Sequence, residues 1–427
     1  MEVGMVARPP RFYGWFLVWV LAAIVGINFG FCYTGASVTN ASMAAEMGLS
    51  RSMLGLGFTA FVLMVGCSAP VSARLVNRYG PRRTLALGSM LVALGALLLT
   101  LVVDSGWRYV AVYGGVVAMG SGLGALIPAQ SCVTNWFIKR RGIGLAIVLT
   151  GSGLAGSIAA PLINQAIVWN GGGWRGGWYC VLAAACVSFV LALAFVRDRP
   201  EQLGQRPDGV VPHGDTTAEA IAAGAPQSWT LKRTMRTRAY WLIGLAAVGE
   251  TVPSSAVLAH GVPHLRDLGH SPEAAASAIS LFALSSVFGK LSAGYLCDRF
   301  NTRHMWTVFI LVLSVAVLTA THARGMPMMV LFAVLLGLGA GGSLTCWHAT
   351  VAHYYGPESF ATVLGSQMPF TNAFAALSPF LTGLAFDRLG TYKSAFYAMA
   401  VLGALLAILV LLAPPAQPPR RVLAGTT

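Results

Sequence analysis

Long apolar stretches separated by short polar segments dominate this chain. A helix that crosses a bilayer needs about 20 mostly apolar residues, and twelve windows of this kind follow one another along the sequence. They lie near residues 12–35, 53–73, 84–103, 108–135, 142–166, 175–196, 239–262, 274–297, 304–322, 327–354, 360–385 and 391–413. Glycine and proline recur inside them, as is usual for helices that pack closely in lipid. The pattern predicts an all-α polytopic membrane protein with twelve transmembrane helices.

The largest polar stretch, residues 197–238, separates the first six windows from the last six. It is rich in proline, glycine and charged residues, which favour loop over continuous helix. We therefore predict an N-terminal six-helix bundle over residues 1–196 and a cytoplasmic central loop over residues 197–238. A C-terminal six-helix bundle with a short cytoplasmic tail is predicted over residues 239–427. A short surface helix is predicted within the loop, near residues 216–223.

The amino-acid composition agrees with a membrane protein. Hydrophobic residues make up 56% of the chain, charged residues 10%, and the mean hydropathy is +0.69. Soluble domains carry about 25% charged residues, so the bilayer is the expected solvent. The net charge of +14 does not indicate nucleic-acid binding, because the basic residues sit at the ends of apolar segments and form no continuous stripe. The first apolar run is too long for a signal peptide, so we interpret it as a retained helix.

The sequence offers no pattern for a cofactor or an enzyme. The seven cysteines are scattered without a CxxC pair, and we interpret them as small buried hydrophobes. Nucleotide-binding, serine hydrolase, zinc protease and calcium-loop motifs are not found. We predict no enzymatic activity, no cofactor and no metal, and therefore transport driven by a gradient.

Lys and Arg predict the orientation in the membrane, because cytoplasmic loops carry an excess of them. If the N-terminus is cytoplasmic, 20 of the 28 basic residues fall on the cytoplasmic side and seven outside, with Lys290 left within a helix. A single missed helix would reverse the second six windows and destroy this asymmetry. We predict cytoplasmic termini and a monomeric, multi-pass protein of the cell inner membrane.

Two loops repeat the same pattern of residues. Asn77-Arg78-Tyr79-Gly80-Pro81-Arg82 joins helices 2 and 3, and Asp298-Arg299-Phe300-Asn301-Thr302-Arg303 joins helices 8 and 9, with an offset of 221 residues. Gly122-Leu123-Gly124 and Gly339-Ala340-Gly341 match at nearly the same offset, as do Ala160-Pro161 and Ser378-Pro379. Three matches in register indicate a parallel duplication of a six-helix unit, with a site between the halves.

The two loops resemble the major facilitator superfamily, whose motif between helices 2 and 3 recurs between helices 8 and 9. The resemblance covers essentially the whole chain and implies two pseudo-symmetric six-helix bundles. It also implies a cytoplasmic gate formed by Asn77, Arg78, Arg82, Asp298 and Arg299. Asn77 departs from the family, which usually has Asp there. The alternative interpretation is simple anchoring of charges at helix ends.

Further segments are similar to the monocarboxylate and oxalate/formate porter branch of that family. They are Gly30-Phe31-Cys32-Tyr33, Trp174-Arg175, Arg199-Pro200-Glu201-Gln202-Leu203-Gly204 and Gly289-Lys290-Leu291-Ser292-Ala293-Gly294. The branch carries small organic anions, often with a proton. This chain departs from it at Ser286, where monocarboxylate members often have Asp, and at Ser37, where they often have Lys.

Two ionisable residues other than His lie far from a helix end, Glu250 in helix 7 and Lys290 in helix 8. Such charges are costly in a bilayer, so they usually face a cavity or a partner. The resemblance implies that Lys290 binds a substrate carboxylate, since a basic residue of helix 8 has that role in the family. The alternative is a structural lysine that reaches the interface or pairs with Asp298. We expect Glu250 to carry the proton, or else to be a structural carboxylate.

Four further residues are predicted to bind substrate: Tyr33, Asn28, Gln130 and His348. The first three rest on the resemblance, in which helices 1, 4, 7 and 10 line the cavity, and His348 follows Trp347 in helix 10. Each polar residue could instead join helices to one another.

The sequence thus predicts a secondary transporter for a small, monocarboxylate-like organic anion. Proton symport by alternating access is expected, with the solute, the proton and the lipid bilayer as partners. An efflux carrier for a drug or an amphipathic metabolite is one alternative. A membrane sensor that does not transport is another, but such a sensor should carry an appended signalling domain.

Overall fold

Helices account for nearly all of the residues that this computed structural model describes. The structure describes residues 12–33, 38–39, 42–43, 46–49, 51–209 and 229–414. The predicted surface helix at residues 216–223 lies outside these ranges, as does Ser37.

Twelve long helices follow one another, numbered α1 to α12 in chain order. They are α1 (Gly14–Phe31), α2 (Arg51–Tyr79), α3 (Pro81–Leu101), α4 (Gly106–Trp136), α5 (Arg141–Trp169), α6 (Arg175–Phe195), α7 (Arg238–Asp267), α8 (Pro272–Arg299), α9 (Thr302–Ala320), α10 (326–355), α11 (357–389) and α12 (Lys393–Leu412). Below, α1–α6 are called the first half and α7–α12 the second half.

Gly356 decides the number of helices. Residues Met326–Leu389 form one continuous run of 64 helical residues, which at about 1.5 Å per residue is far longer than a bilayer is thick. Gly356 breaks this run with φ 72° and ψ 173°, a conformation that glycine adopts without steric cost. Eleven helical runs of the described residues are long and apolar enough to cross a membrane. With the break at Gly356 they give twelve spans, so the predicted all-α polytopic fold is confirmed.

The two repeated loops end and start helices in different ways. Gly80, at φ 84°, ends α2, and Pro81 occupies the first turn of α3, where its missing N–H costs nothing. Asn301 precedes α9, and its side chain accepts a hydrogen bond from the Arg303 N–H. Both loops make tight turns, and they lie on one side of the molecule, called the motif side below.

The described start of the central loop, residues 197–209, packs against the motif side of the first half. Short 3₁₀ turns at Pro200–Leu203 and Pro207–Gly209 follow α6, and a short helix, Leu231–Thr234, precedes α7. Asp198 accepts a hydrogen bond from the Arg82 N–H at 2.7 Å, and Asp208 accepts from the Ile138 and Lys139 N–H groups. Burial raises the pKa of Asp198, while the Arg82 N–H and neighbouring guanidinium groups lower it.

Small residues bring the two halves into contact near the motif side. A Cβ atom on Gly142 of α5 would collide with the carbonyl oxygen of Gly294 in α8. A Cβ atom on Gly365 of α11 would lie 2.8 Å from the carbonyl oxygen of Ala69 in α2. These helix pairs therefore approach backbone to backbone, as small residues allow in membrane proteins. The contacts close the molecule on one side of the site described next.

Candidate functional site

A cavity of about 340 Å³ lies between the two halves. It falls in the roughly 300–1,000 Å³ range of pockets for drug-sized ligands. Seven helices contribute to its walls: α1, α2, α4 and α5 from the first half, and α7, α10 and α11 from the second. The lining residues are Phe29, Tyr33, Phe58, Thr59, Phe61, Val62, Val65, Leu126, Leu149, Ser152, Glu250, Thr251, Ser254, Ser255, Leu258, Leu344, Trp347, His348, Met368, Asn372, Ala375, Ala376 and Pro379.

The cavity extends from the middle of the helices away from the motif side. Phe58 lies near the start of α2, whereas the motif residue Asn77 lies near its end. Similarly, Pro379 lies in the later part of α11, far from the helix start beside the motif. The halves are joined on the motif side, so access to the cavity is from the opposite side.

The first half contributes a group of aromatic rings, called the aromatic wall: Phe29 of α1, Tyr33 in the helical residues that continue α1, and Phe58 and Phe61 of α2. The Phe29 and Tyr33 rings are stacked, with centroids 5.3 Å apart and planes 12° apart. Tyr33 also contacts the Phe58 ring at 4.9 Å. The predicted residue Tyr33 therefore lines the cavity, as part of a continuous aromatic surface.

Glu250 is the ionisable residue that α7 places at the cavity wall. Its side chain is almost fully buried. One carboxylate oxygen, Oε1, accepts a hydrogen bond from Ser254 Oγ at 3.2 Å, one helical turn away. The other oxygen, Oε2, is buried without a hydrogen-bond partner among the described residues. A buried carboxylate with an open oxygen is well placed to accept a proton or to bind a ligand.

Lys290 reaches from α8 across to the first half. Its ammonium group donates to the carbonyl oxygen of Leu149 in α5, at 3.4 Å, and is almost fully buried. Leu149 lines the cavity, although Lys290 itself is not among the lining residues. No ion pair joins Lys290 and Glu250 in the part of the chain that the structure describes.

His348 lies on α10 at the cavity wall and is completely buried. Neither ring nitrogen has a hydrogen-bond partner among the described residues. The neighbouring Trp347 is held firmly, because its indole N–H donates to Gln367 Oε1 at 3.1 Å. Gln367 in turn donates to the carbonyl oxygen of Tyr240 at 2.9 Å. The structure thus brings His348 to the same cavity as Tyr33 and Glu250.

Asn28 and Gln130, the two other residues predicted to bind substrate, are buried in the first half and do not line the cavity. The Asn28 amide donates to Ser89 Oγ at 2.9 Å and to the carbonyl oxygen of Gly124 at 2.7 Å. Ser89 is also hydrogen-bonded to Ser188, at 2.9 Å. Both side-chain polar atoms of Gln130 lack a partner among the described residues. Substrate contact by these two residues stays a prediction.

Asp298, at the end of α8, joins the halves on the motif side. Its two carboxylate oxygens accept the backbone N–H groups of Gly142 at 2.6 Å and Ile143 at 3.0 Å. These N–H groups belong to the first turn of α5, where a helix attracts negative charge. No ion pair joins Asp298 to Lys290 among the described residues.

Asn77 occupies the matching position at the end of α2. Its amide donates to Thr362 Oγ1 of α11 at 2.8 Å, which is a neutral bond between the halves. Arg82 donates to the carbonyl oxygen of Leu193 in α6, within its own half. Arg78 and Arg299 are exposed and lie over the rings of Tyr79 and Tyr295, at 5.2 and 4.3 Å. Of the five predicted gate residues, the structure places Asp298 and Asn77 between the halves.

The sequence interpretation did not single out most of the aromatic wall. Phe58 and Phe61 are three residues apart in α2, and Phe29 and Tyr33 are four apart in α1 and the helical residues that continue it. Such spacings place each pair on one helix face. In a span that is apolar all round, however, spacing alone does not distinguish a cavity from lipid.

Comparison with known proteins agrees with this architecture. The sequence model of the Major Facilitator Superfamily matches residues 18–264 and 243–426. The protein belongs to the Major Facilitator Superfamily. The membership follows from matches that together cover most of the chain.

Relatives and solved structures within the superfamily are distant. Monocarboxylate transporter 13 of Bos taurus is 29% identical over 231 residues, 54% of this chain and 49% of that protein, about half its length. Human monocarboxylate transporter 2 is 24% identical over 400 residues, 90% of this chain and 81% of that protein. The proton:xylose symporter XylE, solved with 6-bromo-6-deoxy-D-glucose, superposes with a TM-score of 0.71 at 13% identity, covering 96% of this chain and 98% of that one. The family and the fold identify this superfamily member as a membrane transporter.

Proposed function

We propose that the protein takes up a small organic anion together with a proton across the plasma membrane, the inner membrane of a bacterial cell. The observation that carries the proposal is a buried acid and a buried base beside a mostly apolar cavity: Glu250 lines it, and Lys290 lies directly behind the lining residue Leu149. A membrane protein bears the cost of such charges where they bind ions or move protons. Two distant relatives named monocarboxylate transporters support the same substrate class.

The charges of Glu250 and Lys290 would couple proton binding to substrate binding. When Glu250 is ionised, its negative charge balances the positive charge of Lys290, and the two residues together are electrically neutral. A proton that enters the cavity neutralises Glu250 at its open oxygen and leaves Lys290 free to bind a carboxylate. The loaded site is neutral again, so the change to the opposite-facing state moves no net charge through the apolar interior.

The position of the acid differs from the pattern of the monocarboxylate branch. Ser286 occupies the α8 position where that branch often carries Asp. Here the neighbouring helix α7 carries a buried acid, Glu250. We infer that Glu250 takes over the role of the acid missing from α8, with the charge displaced to the neighbouring helix.

Alternating access would rock the N-terminal bundle, residues 1–196, against the C-terminal bundle, residues 239–427, while the central loop spans them. We place the motif side and both termini in the cytoplasm, as the 20-to-7 distribution of basic residues favours. On this assignment the cavity faces outward. Asp298 and Asn77 would hold the cytoplasmic gate closed, and Arg78, Arg82 and Arg299 would support it. The transporter is expected to act as a monomer.

Uptake into proteoliposomes tests the proposal. Protein is reconstituted, a pH gradient is imposed, and uptake of a radiolabelled monocarboxylate is followed for wild type, Lys290→Ala and Lys139→Ala. Lys139 is an exposed lysine at the helix 4–5 loop and serves as the matched control. Lys290→Ala should abolish uptake while the protein stays folded in detergent, and Lys139→Ala should leave it unchanged. Undiminished uptake by Lys290→Ala would contradict the assignment.

One observation favours a second candidate, the export of an amphipathic cation. Glu250 lines the cavity in this conformation, whereas Lys290 lies behind Leu149. An acidic group in an apolar cavity suits a lipophilic cation. Counterflow with a panel of carboxylates and a panel of lipophilic cations distinguishes the two, because a carboxylate carrier exchanges only the first panel.

A further inference from the structure

Two chemically different groups of residues lie beside the cavity. The aromatic wall comes from the first half, while Glu250 and Lys290 belong to α7 and α8 of the second half. Lys290 donates to the carbonyl oxygen of Leu149, which is part of the lining, so the ammonium group lies directly behind a lining residue. A ligand that uses both groups needs a carboxylate and a flat apolar body.

The aromatic wall is supported from behind. Phe61 stacks on Tyr113 of α4, with centroids 5.0 Å apart and planes 18° apart. Tyr113 is fully buried, contacts the Trp178 ring at 5.8 Å, and donates its hydroxyl to the carbonyl oxygen of Cys32 at 3.1 Å. The rings at the cavity are thus fixed by a second layer and need little reordering to accept a ligand, which lowers the entropic cost of binding.

The volume of the cavity also argues against a very small solute. At about 340 Å³, it would leave a two- or three-carbon acid surrounded by water beside apolar walls. Aromatic rings prefer to pack against other rings at centroid distances of about 4.5–7 Å, and the Phe29, Tyr33 and Phe58 rings of the wall already contact one another in this way.

We propose that the substrate is an aromatic carboxylate, whose ring packs on Phe29, Tyr33 and Phe58 while its carboxylate is held at Lys290. This inference rests on the proposed function and narrows its substrate class from small organic anions to arylalkanoates and similar compounds. The aromatic wall would then select aromatic carboxylates over other carboxylates. Lys290 would require that a bound ligand carries a carboxylate group.

The test is competition against uptake of radiolabelled phenylacetate in proteoliposomes. The competitors are acetate, lactate, gluconate, benzoate, phenylacetate and indole-3-acetate, and each is also tested directly as a labelled substrate. Hydrophobic pockets distinguish a single methylene by roughly 10–200-fold. Phenylacetate and indole-3-acetate should therefore compete at least about tenfold better than lactate. Gluconate, which is large but polar, should compete no better than lactate.

Substitutions in the aromatic wall distinguish the effect of a flat ring from the effect of an apolar side chain without one. Tyr33→Leu and Phe58→Leu keep an apolar side chain but remove the flat ring, so they should reduce the preference for phenylacetate over lactate by about tenfold. Tyr33→Phe keeps the ring and should retain the preference. Trp19→Leu changes an exposed aromatic residue of α1 that does not line the cavity, and it controls for general effects on the helix.

The outcomes distinguish this inference from the proposed function. Uptake of all carboxylates with equal affinity, or an unchanged preference in Tyr33→Leu and Phe58→Leu, would overturn the aromatic specificity and leave an anion carrier. Uptake of neutral indole in place of indole-3-acetate would overturn the anion carrier, and with it the assignment of Lys290. A tenfold preference for phenylacetate over lactate that is reduced in Tyr33→Leu and Phe58→Leu supports both the aromatic specificity and the anion carrier.

Discussion

A buried polar cluster of the first half differs from two buried polar residues of the second half. In the first half, Asn28 of α1 is hydrogen-bonded to Ser89 of α3 and to Gly124 of α4, and Ser89 continues to Ser188 of α6. In the second half, one carboxylate oxygen of Glu250 and both ring nitrogens of His348 lack a hydrogen-bond partner among the described residues, and both residues line the cavity. Asn28 and Ser89 therefore join helices, whereas Glu250 and His348 keep unpaired polar atoms beside the cavity.

The same difference occurs at the motif side. Asp298 of the second half contributes a carboxylate that accepts two N–H groups of α5. Asn77 of the first half contributes a neutral amide that donates to one hydroxyl of α11. The two halves are similar six-helix frames, but the buried ionisable residues Glu250 and Lys290 both belong to the second half. On the proposed function, the second half would bind the ion while the first half supplies the aromatic wall.

The largest effect is expected from Glu250→Gln, which keeps the size of the side chain but cannot exchange a proton. Uptake driven by a pH gradient should fall to the level of passive equilibration, whereas exchange of substrate across the membrane without a gradient should persist. In proteoliposomes, the accumulation ratio measures uptake driven by the pH gradient, and the counterflow rate measures exchange without a gradient. Accumulation as high as in wild type would remove Glu250 from proton coupling.

The contacts that Asp298 and Asn77 make between the halves should differ in strength. Hydrogen bonds to charged groups contribute about 1.5–3 kcal/mol each and neutral ones about 1 kcal/mol. Asp298→Ala should thus shift the equilibrium towards opening on the motif side by about 3 kcal/mol, and Asn77→Ala by about 1 kcal/mol. Distances between spin labels on the motif-side ends of α5 and α8 report the opening. Equal effects of the two variants would contradict the charged-versus-neutral difference.

Asn28→Ala should act on stability and not on selectivity. Loss of its two hydrogen bonds between helices should cost about 1–2 kcal/mol and lower the melting temperature in detergent. The ratio of affinities for two carboxylates should stay at the wild-type value, because Asn28 does not line the cavity. A changed ratio with an unchanged melting temperature would make Asn28 a ligand-binding residue.

The smallest effect is expected from Gln130→Leu. The Gln130 amide is buried without partners among the described residues, and such a group costs about 1–3 kcal/mol. Its replacement by an apolar side chain should therefore leave the melting temperature unchanged or raise it slightly. A clear drop in melting temperature would show that Gln130 is bonded in the folded protein, like Asn28.

The sequence predicts the fold well because the bilayer constrains it strongly. Each span needs about 20 apolar residues, so the windows can be counted, and the tenth and eleventh are separated where Gly356 breaks the helix. Side-chain surroundings are harder to predict. Asn28 and Glu250 are both polar residues within apolar spans, and only the packing of distant helices decides which one is enclosed. For the same reason Phe58 and Phe61 could not be distinguished from lipid-facing rings.

The central claim is that the second half binds a carboxylate through Lys290. It is tested most directly by thermal stabilisation of purified wild type, Glu250→Gln and Lys290→Ala with phenylacetate and lactate. A ligand at 100 times its dissociation constant stabilises the folded state by about 2.7 kcal/mol. We predict a higher melting temperature for wild type and for Glu250→Gln, and no change for Lys290→Ala. Equal stabilisation of Lys290→Ala by a carboxylate would contradict the account.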